Sequence, residues 1–218
     1  MSTNELKCLQ WNARGLTKSR VEEFRTLLNS HDPDLVFLSE THWNKNFQVK
    51  FKNYSTLKKD RNNHRGGGVA LLIKKSLQFS ASPTLSPRTI EVIGAKIHAA
   101  SGLVNCLSVY VPKGDFQAEE LKSLVSYSTP FNIAGDLNAH HCLWDSNFTE
   151  NVAGKAISET LIDSPAVSLI TPKDLGTRIN PSSGHRSTMD LILSSPSLSL
   201  NSATILGPYL GSDHLSPP

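Results

Sequence analysis

Short apolar runs in this chain repeatedly end on a polar side chain. Leu6–Asn12, Asp34–Glu40, Leu103–Val111 with Tyr110 near its exit, and Phe131–Ala134 running into Gly135-Asp136-Leu137-Asn138 share that form. So do Met189–Leu193, which holds Asp190, and the late Ser212-Asp213-His214. Apolar runs of this length read as buried strands. Strand ends are rigid, so carboxylates, amides and a histidine collected there can hold a hard cation and a phosphate. Any single Asn or Asp is a common turn residue. Eight such positions in one pattern, Asn12, Glu40, Tyr110, Asp136, Asn138, Asp190, Asp213 and His214, define a candidate site.

The intervening segments alternate helix and strand. Val21, Phe24, Leu27 and Leu28 recur at helical spacing before Asn29 to Pro33 stops the helix, and Glu119–Tyr127 and Ala153–Leu161 predict two more. Gly66-Gly67-Gly68 reads as a turn entering the strand Val69–Ile73, since no Lys-Ser/Thr follows as a phosphate loop requires. Ile90–Ile97 and Leu103–Val111 predict a hairpin about Ser101-Gly102, while Val167–Ile170 and Ala203–Leu206 predict short strands. Asn44 to Arg65 reads as a long basic loop with one edge strand. Periodicity alone reaches α/β or α+β. Without repeat, linker or composition break, one domain over residues 1–218 is the economical expectation.

Charge and cysteines narrow the class. Residues 1–75 carry 14 Lys/Arg against 7 Asp/Glu, a net +7, and the remainder 8 against 12, a net −4. A basic half beside an acidic one suits a surface that meets phosphates and a site that concentrates carboxylates. Lys45 to Arg65 holds seven Lys/Arg and one acid, with Phe47, Phe51, Tyr54 and His64 interleaved. That stretch reads equally as phosphate contact or as a solvated loop with its aromatics tucked inside. Cys8, Cys106 and Cys142 have neither disulfide nor zinc spacing. Adjacent His140 and His141 can rarely reach one ion together, which favours structural or surface-contact roles over a metal site. No apolar run reaches a membrane span, and the first residues carry no signal-peptide pattern.

In order, Gln10-Trp11-Asn12, Leu38-Ser39-Glu40-Thr41, Val109-Tyr110-Val111-Pro112, Gly135-Asp136-Leu137-Asn138, Met189-Asp190-Leu191 and Ser212-Asp213-His214 resemble the endonuclease/exonuclease/phosphatase superfamily from about Leu6 to His214. The resemblance implies a four-layered α/β sandwich, with two packed mixed sheets flanked by helices. It implies that Glu40 binds Mg²⁺ (Mn²⁺ a possible substitute), with Asn12 assisting through its carbonyl oxygen and Asp213 serving the metal region. Asp136 would orient or deprotonate the attacking water, held by Asn138. His214, oriented by Asp190, and Tyr110 would contact the scissile phosphate.

Arg65-Gly66-Gly67-Gly68-Val69-Ala70, Asn138-Ala139-His140-His141 and the Thr177–Asp190 stretch look like the nuclease domains of jockey-like non-LTR retrotransposons. That likeness implies an enzyme nicking double-stranded DNA to leave a 3′-hydroxyl for reverse transcription. It also implies a longer polyprotein with a reverse transcriptase, a nuclear setting, and a chain truncated after its SDH motif. The alternatives are an abasic-site or structure-selective nuclease, a phosphatase for lipid or nucleotide substrates, and a decayed copy that binds DNA without cutting. Abasic-site enzymes of the family carry a carboxylate where this chain has Arg14 and an asparagine where it has Lys113. Two cations there favour backbone contact. Arg14, Lys58, Lys59, Arg61, Arg65 and Lys113 are the expected DNA contacts.

Overall fold

A computed structural model describes residues 6–46, 49–61, 66–82, 87–100, 102–125, 130–199 and 212–215. Expectations for Phe47, His64, Arg65, Ala203–Leu206 and the segment after Leu215 lie outside the described residues.

One sheet has the order β1 (Cys8–Asn12), β2 (Leu35–Ser39), β4 (Val69–Lys74), β3 (Tyr54–Lys59). β1 and β2 run parallel, joined through α1 (Lys18–His31), and the other pairs are antiparallel. The second sheet orders β5 (Phe79–Ala81), β6 (Glu91–Ala99), β7 (Gly102–Tyr110), β8 (Phe131–Asp136), β12 (Asp190–Ser194) and β9 (Ser168–Leu169). Only its β7–β8 pair is parallel.

Side-chain alternation explains the layering. Leu35 and Phe37 of β2, with Leu71 and Ile73 of β4, face Ala95, Ile97, Val104, Cys106 and Ala134 of the second sheet. Val36 and Leu38 point the other way, with Ala70 and Leu72, onto Val21, Phe24, Leu27 and Leu28 of α1. Ile133 and Leu107 similarly face α2 (Ala118–Val125) and α3 (Val152–Asp163) through Leu121, Leu124 and Ile157. The result is the four-layered α/β sandwich that the motifs implied. Both faces of each central strand are buried, so truncating a residue such as Phe37 to Ala should cost about 3–5 kcal/mol.

Most predicted elements are present, with ends shifted by a few residues. α1 ends at Asp32, whose left-handed backbone (φ 45°) returns its N–H to Leu28, just before Pro33. The basic stretch supplies the edge strand β3, and two of its aromatics are core: Phe51 packs edge-on against Phe24 and the Tyr54 hydroxyl donates to the Pro33 carbonyl. β5 and the small hairpin of β10 (Arg178–Ile179) with β11 (Arg186–Ser187) had no sequence signal, being two or three residues long. No described helix is long and apolar enough to cross a membrane.

Candidate active site

Strand register assembles the site. Tyr110 pairs with Asp136 across β7–β8, and Asp136 with Asp190 across β8–β12, so three polar side chains form a row at one end of the second sheet. In the first sheet, Asn12 pairs with Ser39, next to Glu40. The Ser39 hydroxyl donates to the Val109 carbonyl (2.8 Å) and accepts from the Asp136 N–H (3.2 Å), tying the sheets together directly beneath the row.

Asp136 is almost wholly buried and fully engaged. Asn12 Nδ2 donates to its Oδ2 (2.6 Å) and the Asn138 N–H to its Oδ1 (2.9 Å). Asn138 takes a left-handed φ of 46° and is anchored through Nδ2 on the Val111 carbonyl. Burial pushes the Asp136 carboxyl up; His214 opposes this and the Asp190 charge adds to it, leaving it above the ordinary carboxylate range.

His214 arrives on a distant segment. The backbone of residues 213–215 pairs with β10, through Ile179 N–H to Asp213 O (2.7 Å) and Leu215 N–H to Thr177 O (2.6 Å). Its Nδ1 lies 2.7 Å from Asp190 Oδ2, and Gln10 Nε2 donates to the other Asp190 oxygen at 2.8 Å. This fixes the ring with Nε2 toward Asp136 Oδ2, 3.8 Å away. Burial alone would depress the imidazolium, but Asp190 above all, with Asp136 and Asp213, holds it above the ordinary histidine range.

Glu40 occupies the open side. It has a left-handed φ of 49°, accepts from Asn12 Nδ2 (2.8 Å), and lies 3.2 Å from His42 Nε2. Burial would raise its carboxyl, yet hydrogen bonds from His42 and Asn12 outweigh it and leave it at about 2. Burial above all, with the nearby Glu40 and Asp136 charges, pushes the Tyr110 phenol up, so the O–H keeps its proton.

Hard oxygen donors are available for a divalent cation. Glu40 is an ionised carboxylate, one-fifth exposed, and Asp213 Oδ1 is buried without a hydrogen-bond partner among the described residues. Asp136, Asp190 and His214 also bring potential ligand atoms within 4.8 Å of one another. Those atoms are largely committed to hydrogen bonds with each other, Gln10, Asn12 and Asn138. Asn12 is arranged differently from its expected role: its carbonyl oxygen accepts the Arg14 N–H (2.9 Å), and its amino group faces both carboxylates. Two anionic neighbours favour donors there.

The expected DNA contacts divide. Arg14 is half exposed but pairs with Asp213 Oδ2 (2.8 Å), an oxygen also held by Arg178 (3.1 Å). Lys58 pairs with Asp60. Arg61 is mostly buried against Glu91 and Tyr110. Lys59 and Lys113 line a cleft of about 650 Å³ with Arg61, Arg88 and Pro112, and Lys113 has a left-handed φ of 64°. His140 stacks on Phe148 and His141 pairs with Glu150. The sequence reading missed Gln10, His42 and Arg178. Gln10 shares the inward face with Asn12 by strand alternation, a signal that was available; His42 and Arg178 lack any comparable pattern.

The chain is 29% identical over 170 residues to a probable RNA-directed DNA polymerase from transposon X-element of Drosophila melanogaster, covering 76% of this chain and 18% of that protein. It is 29% identical over 164 residues to the RNA-directed DNA polymerase from mobile element jockey of the same species, covering 74% and 18%. The chain thus spans about a fifth of the length of these relatives. The endonuclease domain of TRAS1, a telomere-specific non-LTR retrotransposon, superposes with a TM-score of 0.76 at 15% identity, over 98% of this chain and 96% of that one. AP endonuclease LMAP from Leishmania major gives 0.77 at 16%, over 97% and 86%. The model of the Endonuclease/Exonuclease/phosphatase family matches residues 9–214, from the first strand to the histidine that closes the site, and the chain belongs to that family.

Proposed function

We propose that this chain is a divalent-metal-dependent DNA endonuclease of a non-LTR retrotransposon, hydrolysing one phosphodiester of duplex DNA to leave a 3′-hydroxyl that primes reverse transcription. It would act as one part of a polyprotein with a reverse transcriptase, and in the nucleus. The observation that carries this reading is the hydrogen-bonded line Gln10–Asp190–His214 directed at Asp136, with Tyr110 in the same row.

A water beside Asp136 loses its proton to that carboxylate and attacks phosphorus. Burial raises the proton affinity of Asp136, which suits a base working near neutral pH. The bond from phosphorus to the 3′ oxygen breaks, leaving a 5′ phosphate; the departing oxygen takes a proton from solvent, and Asp136 returns its own to solvent. His214, protonated and aimed by Asp190, and the Tyr110 hydroxyl donate to the phosphate oxygens, where charge develops. Asn138 and Asn12 hold the base. Glu40 and Asp213 would hold the cation, Mg²⁺ with Mn²⁺ as substitute, which neutralises phosphate charge when bound.

Arg14 ties down Asp213, and this favours a general backbone-cutting site over a lesion reader. Intact duplex should therefore be cut nearly as well as duplex containing an abasic site; strong preference for the lesion would promote the abasic-site reading. The end chemistry is tested by nicking a plasmid and adding DNA polymerase directly. Immediate extension is expected; a blocked 3′ end would overturn the proposed bond cleavage.

A further inference from the structure

We propose that Arg61 is a positioning residue for Tyr110, seated on the Gly66-Gly67-Gly68 turn and clamped by Glu91. The inference rests on the nuclease reading and reassigns a residue that sequence alone presents as a DNA contact.

Glu91 and Tyr110 are direct cross-strand partners in β6–β7, and opposed residues present their side chains on one face. Arg61 reaches across from the β3–β4 connection of the other sheet. Its guanidinium carbon sits 5.6 Å from the Tyr110 ring centroid, and its Nε donates to Glu91 Oε1. The second Glu91 oxygen accepts the Gly68 N–H at 2.7 Å. Arginine, carboxylate, turn and ring thus form one connected unit around Tyr110.

The glycines make room for it. Gly67 has φ +71°, and a Cβ there would lie 2.3–2.5 Å from the Arg61 guanidinium atoms. Gly68 has φ +88°, and a Cβ would lie 2.7 Å from the Thr41 hydroxyl. A strand entry alone needs neither feature. Arg61 Nη2 is also buried without an oxygen partner among the described residues, a cost that a solvent-facing DNA contact would not incur. Packing a planar cation against the ring restricts its rotation and keeps the hydroxyl beside Glu40.

A double-mutant cycle in supercoiled-plasmid nicking, with Mg²⁺ present, separates positioning from direct contact. Arg61→Gln should lower kcat about tenfold with KM little changed, and Arg61→Lys should not restore it, because an ammonium lacks the planar fork. In a Tyr110→Phe background the Arg61→Gln effect should shrink below about twofold, since the hydroxyl being positioned is gone. Duplex affinity measured in EDTA, and its salt slope, should be unchanged by Arg61→Gln. Gly67→Ala, which displaces the guanidinium while retaining its charge, should reproduce the loss and carries the test if Arg61→Gln melts too low to assay. An undiminished effect in the Tyr110→Phe background, or weaker binding with a flatter salt slope, would overturn positioning in favour of backbone contact. Absence of nicking by the wild-type chain would instead remove the nuclease reading, and this inference with it.

Discussion

The two halves of the site are built differently. On one side, Asp136, Asp190 and His214 are buried, and their donors and acceptors are met by Gln10, Asn12, Asn138 and one another. On the other, Glu40 and His42 reach solvent, and Asp213 retains an oxygen without a partner among the described residues. The first network is closed on itself, whereas the Glu40 carboxylate is partly exposed and Asp213 keeps one oxygen over beside its ion pairs with Arg14 and Arg178. On the proposed reading, the buried half handles protons and the partly exposed half binds the cation.

The largest effect should come from the buried half. Asp136→Ala and His214→Ala should each lower nicking by about 100-fold or more, since each removes a group acting in the transition state. Near-normal rates from either folded variant would erase the distinction between the halves. Glu40→Gln should act through metal instead, raising the half-maximal Mg²⁺ concentration about 10–100-fold, with excess metal recovering much of the rate. A pure loss of rate that metal does not mend would move Glu40 into the chemical step.

The pH profile sharpens the contrast further. Activity should fall toward acid as Asp136 gains a proton, on a limb set by a carboxyl raised above its usual range. It should fall toward alkali as His214 loses one, above the usual imidazole range. His214→Ala should abolish the alkaline limb while the acid limb stays. The smallest effects belong outside both halves. Lys59→Glu and Lys113→Glu should each flatten the salt dependence of DNA affinity by about one contact, a slope change of ~0.9. Lys58→Ala should change it less, because Asp60 already occupies that ammonium.

The layering was legible because alternating apolar residues on both faces of β2, β4 and β8 leave few other arrangements. Site residues were legible where a strand delivers them: strand register, which their positions at the run ends foreshadow, brings Tyr110, Asp136 and Asp190 into one row. Partnerships were not legible. Arg14 and Arg61 read from sequence as free cations, yet they pair with Asp213 and Glu91, 199 and 30 residues away in numbering. Nothing in local pattern encodes such distant contacts. The hairpin that carries Arg178 was invisible for a related reason: two-residue strands are too short to show a period.

On the proposed reading, the buried half performs metal-assisted phosphodiester hydrolysis. Supercoiled-plasmid nicking by the wild-type chain and by Asp136→Ala, each with Mg²⁺ and with EDTA, tests it most directly. Relaxed circles are expected from the wild type with Mg²⁺ alone, and about 100-fold less or none in the other three reactions. Equal nicking with EDTA, or by a folded Asp136→Ala chain, would contradict it.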